Sequence, residues 1–134
     1  MTANDFLDLL RRSQLVEESQ LMKYSGLTED AEVLAASMVR AELITEWQSE
    51  KLLAGKHKGF MLGKYKLLRH IGKGGMSQVY LATHTLMKRL VAIKILPANR
   101  VEDSTYLERF RAETPSYDIN NDGKTHYIVM EYKE

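Results

Sequence analysis

A chain of 134 residues that is 44% hydrophobic and 28% charged, with a formal net charge of +1, has the composition of a folded globular protein of one domain or two very small ones. The near-neutral balance argues against a dedicated nucleic-acid binder, and the lack of cysteine excludes disulfides and thiolate metal sites and fits a reducing compartment. No run nears the ~20 apolar residues that span a bilayer, and acids interrupt the apolar start "MTANDFLDLLRRSQ", so a cytoplasmic protein without signal peptide or membrane segment is expected.

Residues 1–58 read as a helical module. Asn4 or Asp5 is placed to cap a first helix carrying Phe6, Leu9 and Leu10. A second is expected from Val16 to Tyr24, stopping at Gly26. Thr28 opens a third, with Glu29 and Asp30 in its first turn, where negative charge suits the helix dipole; Val33, Leu34, Met38 and Leu43 follow helical spacing. A fourth runs from Thr45 to Ala54 and ends at Gly55.

"RSQLVEESQLMK" from Arg12 matches "RAELITEWQSEK" from Arg40 at Arg12/Arg40, Leu15/Leu43, Val16/Ile44, Glu18/Glu46, Gln20/Gln48 and Lys23/Lys51. Either this similarity is chance, or two helical hairpins of one design pack face to face over the Leu and Val/Ile positions. Trp47 is expected as a core or interface anchor. "AGKHKGFMLGK" (54–64), with three glycines and four basic residues, reads as a solvated linker.

From Tyr65 the period changes to two. "YKLLRHI" and "QVYLATH" flank the glycine-rich "GKGGMS" as a hairpin, and "RLVAIKIL" is a β-branched run stopped by Pro97. "DSTYLERFRAE" (103–113) reads as a helix capped by Asp103 or Ser104, with Leu107 and Phe110 on one face; "THYIVMEY" (125–132) is a last strand. The order β-β-β-α-β implies an α+β arrangement with an antiparallel sheet over 59–134. Asp118-x-Asn120-x-Asp122-Gly123 starts like a calcium loop, but the twelfth position is Val129 rather than a bidentate glutamate, so "NDG" is expected as a hairpin turn. His57, His70, His84 and His126 lack metal-ligand spacing, and no metal ligands are expected.

Gly72-x-Gly74-x-x-Ser77-x-Val79, followed by Val91-Ala92-Ile93-Lys94 with the lysine twenty residues after Gly74, resembles the N-terminal lobe of protein kinases. The likeness is greatest to bacterial, eukaryotic-like serine/threonine kinases, where "GGMSxVYLA", "VAIK", "FRxE" and "VMEY" occur in this order. It runs from Gly63 to the last residue. The resemblance implies an ATP site. The backbone of Gly72, Lys73, Gly74, Gly75, Met76 and Ser77 would approach the phosphates, with Ser77 where the family often has a third glycine. Strand alternation puts Ala92 and Lys94 on one face, so that Ala92 leaves room for adenine while Lys94 reaches the α- and β-phosphates. Ile71 and Val79 would pack on the base, Met130 would lie at the back of the pocket, and the backbone of Glu131 and Tyr132 would act as the hinge. Glu113 is the counterpart of the helix glutamate that aims the lysine.

Two features depart from the family pattern. The catalytic-loop aspartate and asparagine and the next magnesium-binding aspartate are not among these residues, so ATP and Mg²⁺ would bind without phosphate transfer by this chain alone. After Glu113, Thr114-Pro115 stops the helix, and the family's fourth strand, at the sheet edge, is expected to be lost. Two functions follow. One is the ATP-binding portion of a serine/threonine protein kinase acting on a protein substrate. The other is a non-catalytic docking or oligomerisation module, in which residues 1–58 meet a protein partner and the lobe is a remnant.

Overall fold

The computed structural model describes residues 1–74, 77–95, 118–122 and 125–132; the predicted helix over 103–113, with Glu113 and Thr114-Pro115, lies outside them, as do Gly75 and Met76. The chain divides into two compact units, Met1–Met61 and Leu62–Glu134.

The first unit holds α1 (Ala3–Ser13), α2 (Glu18–Met22), α3 (Ala31–Arg40) and α4 (Glu46–Leu53). Helix α1 is capped by Thr2, not by Asn4 or Asp5. The Thr2 hydroxyl accepts from the Asp5 N–H while the Asp5 carboxylate accepts from the Thr2 N–H, a reciprocal box that makes Asp5 the third helical residue. Helix α3 likewise starts later than Thr28 suggests. Asp30 caps it through the N–H groups of Glu32 and Val33, and the Thr28 hydroxyl accepts from the Asp30 N–H. An antiparallel bridge between Thr2 and Asp30, with Ala3 N–H donating to the Glu29 carbonyl at 3.0 Å, keeps that approach extended. Thr45 caps α4 in a second box with Gln48, as the 45–54 prediction requires. Helix α2 is shorter than predicted because Gln14 turns left-handed and Glu17 lacks a side-chain cap.

Phe6, Leu10, Leu21, Leu34, Met38 and Leu52 form the fully buried centre of this unit. On α3 the inward stripe is Ala31, Leu34, Ala35 and Met38, which leaves Val33 off the stripe and 51% exposed, contrary to expectation. The segment read as a solvated linker is exposed at Gly55, Lys56, Lys58 and Gly59 and holds the division between the units, but its apolar residues Phe60 and Leu62 are buried. Phe60 is buried in the helical core and meets Trp47 edge to face with centroids 5.7 Å apart, because that aromatic surface gains more from burial than from solvent.

Among the described residues six strands make one sheet: β1 (Met61–Leu62), β2 (Tyr65–Gly74), β3 (Ser77–His84), β4 (Leu90–Ile95), β5 (Asp118–Asp122) and β6 (Thr125–Glu131), in spatial order β1-β2-β3-β4-β6-β5. Strands β2 to β6 pair antiparallel with their neighbours. The edge strand expected to be lost is replaced by β5, from a segment read only as a turn. Asp122 pairs with Thr125, and the polar "DINND" is carried into register by pairing with apolar β6. The His84 ring Nδ1 accepts from the Leu86 and Met87 N–H groups at 3.2 and 3.0 Å and staples the β3–β4 turn.

Gly63 starts the turn from β1 to β2 with φ +55°, and a Cβ there would lie 2.9 Å from the Tyr127 hydroxyl. Gly63→Ala should therefore lower the stability of the sheet by about 1–2 kcal/mol, read as a reduced thermal midpoint. An unchanged midpoint would refute the turn geometry. No helix among the described residues is long and apolar enough to cross a membrane.

Candidate functional site

Ladder pairing decides which side chains share a face, since residues directly opposite in an antiparallel pair project to the same side. Lys94 on β4 lies opposite Val79 on β3 and Ile128 on β6, and Ala92 lies opposite Leu81 and Met130. Gly72 on β2 is opposite Val79, which extends the row to the glycine-rich end of the hairpin. Gly72, Val79, Ala92, Lys94 and Met130, singled out in the sequence, thus occupy one face at neighbouring positions. Leu81 and Ile128 belong to the same face, and both are buried. Counting two residues on from Val79 and two back from Met130 would have found them.

Lys94 is 8% exposed, which is uncommon for lysine. It shares its face with the small Ala92 and the buried Leu81 and Ile128. Val79 and Met130 are half-buried beside it. Ile71 is half-buried in a register shift between His70 and Gly72, which bends β2 as it enters the glycine-rich turn. Gly74 pairs with Ser77, so β2 and β3 stay laddered up to the Gly75-Met76 connection, and Lys73 pairs with Gln78 along the same ladder. The Glu131 side chain is exposed and Tyr132 is half-buried at the end of β6. Glu113, Gly75 and Met76 fall outside the described residues.

The reverse side of the hairpin carries its own tie. His70 Nε2 lies 2.6 Å from Gln78 Oε1, and the His70 ring meets Tyr80 edge to face at 5.2 Å. A groove of about 720 Å³ also opens there, taking Val91, Val129 and Glu131, which alternate with the residues of the Lys94 face, together with Tyr65 and His84. The two sides of β4 are chemically different. One presents a buried cation over small and apolar residues beside a glycine turn; the other is an aromatic-rimmed groove. Among the described residues no group of three His, Asp or Glu is placed to hold a metal ion.

No protein-family model matches the chain. By sequence it is similar to the serine/threonine-protein kinase PrkC of Bacillus subtilis, 40% identical over 95 residues that cover 62% of this chain and 14% of PrkC. It is also 35% identical to the serine/threonine-protein kinase PknA of Mycobacterium tuberculosis over 86 residues, covering 52% of this chain and 20% of that protein. A probable serine/threonine-protein kinase PknB of Bifidobacterium longum is 45% identical over 51 residues, covering 38% of this chain and 7% of that protein. The chain thus spans a fifth or less of these relatives. Among solved structures, the Mycobacterium tuberculosis PknI kinase domain aligns at a TM-score of 0.43 with 26% identity, over 55% of this chain and 35% of that one.

Proposed function

We propose that this chain, a partial N-lobe of the bacterial serine/threonine protein kinase type joined to a helical unit, binds ATP on the face that carries Lys94. The observation that supports it most is a buried lysine beside a small alanine, in register with Val79, Met130 and Gly72. Ala92, opposite Leu81 and Met130, would leave room for a flat purine, with Val79 and Ile71 packing at its edge. Lys94 supplies the positive charge for the α- and β-phosphates, and the backbone from Gly72 through Ser77 supplies N–H donors. The backbone of Glu131 and Tyr132 offers hydrogen bonds to the adenine edge, and Glu113 is the group that would hold the lysine in line.

Magnesium would come with the nucleotide and would help neutralise the phosphate charge that Lys94 faces. These residues serve to hold and orient ATP. A thermal-shift titration of the chain with ATP and magnesium tests the binding: the midpoint should rise with the logarithm of nucleotide once it exceeds Kd. No rise at millimolar ATP, with the sheet folded, would leave the non-catalytic docking module as the better account.

The His70–Gln78 tie bears on the same function from the opposite side of the hairpin. His70→Ala should loosen the glycine turn and weaken ATP about fivefold, the worth of one hydrogen bond of about 1 kcal/mol. Calorimetric titration measures it. An unchanged Kd would show that the tie does not order the phosphate-binding backbone.

A further inference from the structure

Helices α1 and α3 begin at positions 28 apart, as do α2 and α4; Thr2 and Asp30 are matching caps, and Gln14 and Glu42 are matching left-handed residues. Matched positions can therefore be compared across the two hairpins. In the first, Leu7 and Leu21 are buried, and Arg11 on α1 grips Glu18 at the start of α2, with Nε–Oε2 2.8 Å and Nη2–Oε1 3.0 Å. That hydrogen-bonded pair holds the Glu18 carboxyl below its ordinary value. In the second, the counterparts are Ala35, Ser49, Val39 and Glu46. The acid is kept, while the volume of two leucines and the guanidinium is gone. A groove of about 430 Å³ lies there between α3 and α4. Its floor includes Ala35, Val39 and Leu53, and its lining carries Glu32, Glu46 and Glu50 against Arg40.

We propose that the α3–α4 groove is a docking site for a basic amphipathic helix of another protein, which supplies the leucine and arginine that the second hairpin lacks. The lining residues fall in rows three and four apart on two helices, which is the relief a third helix packs into. The acid excess selects a cationic partner and disfavours an acidic one. Within the first hairpin, leucine and arginine stand four positions apart on α1, at Leu7 and Arg11, so the incoming helix needs the same spacing.

The test is fluorescence anisotropy of the whole chain with a dye-labelled synthetic alanine helix of about 20 residues, long enough to be helical, carrying Leu–Arg pairs four positions apart. Saturable binding is expected, absent for the same peptide with glutamate in place of arginine. Ala35→Leu with Ser49→Leu copies the first hairpin and should weaken binding by at least about tenfold while keeping the thermal midpoint. Val39→Arg, which restores the clamp to Glu46 without filling the floor, should do the same and serves if the double variant fails to fold. Equal binding of the acidic peptide, an unchanged Kd in a folded variant, or no saturation by millimolar chain would overturn the proposal. So would sedimentation showing a concentration-dependent dimer that Val39→Arg abolishes, since the groove would then belong to a second copy.

Discussion

Replacing Lys94 with methionine should remove most of the ATP affinity of the chain while leaving the sheet cooperatively folded. Methionine keeps much of the apolar stem that β4 buries and discards only the charge. The contacts proposed for Lys94 are hydrogen bonds from an ion to phosphate oxygens, which would be worth about 1.5–3 kcal/mol, or roughly 10- to 150-fold in Kd. A midpoint rise driven by nucleotide near the original Kd should vanish. Lys88→Met makes the same change of charge in the exposed β3–β4 turn and should leave the rise intact. If both variants lose affinity equally, net charge rather than a site holds the nucleotide. If Lys94→Met loses none, the ammonium is structural.

The second large effect belongs to the helical unit. Phe6 is fully buried among Leu10, Leu34, Met38 and Leu52, and Phe6→Ala should cost about 3–5 kcal/mol. A unit of the length Met1–Met61 holds roughly 3–9 kcal/mol at the usual per-residue stability, so most of its margin would go. Far-UV circular dichroism should show loss of helical signal at a lower temperature. Val33→Ala, on the exposed side of α3, should stay within about 0.5 kcal/mol. Equal sensitivity at the two positions would contradict the packing described.

Much of the sheet was legible because its chemistry is local. A glycine turn between two period-two runs announces a hairpin, and alternation alone puts Ala92 with Lys94. That Val79 and Met130 flank them needed ladder register, which no single strand encodes, and Leu81 and Ile128 were missed for the same reason. The caps were misjudged at Thr2 and Asp30 because several polar residues compete at each helix start, and only the bridge between those two positions decides among them. Phe60 was lost in a segment whose lysines and glycines read as solvent, although one aromatic ring can outweigh that local average once Trp47 is beside it. Strand β5 was invisible because asparagine and aspartate have low strand propensity, and pairing with β6 supplies what the side chains do not.

The central claim is that ATP lies on the Lys94 side of β4. Methyl chemical-shift mapping of the chain during titration with ATP and magnesium tests it most directly, because each side of the strand carries its own methyl groups. Val79, Ala92 and Met130 should shift together and saturably, with Val91 and Val129 nearly still. Saturating shifts at Val91 and Val129 instead, or none at any of the five with millimolar ATP, would contradict it.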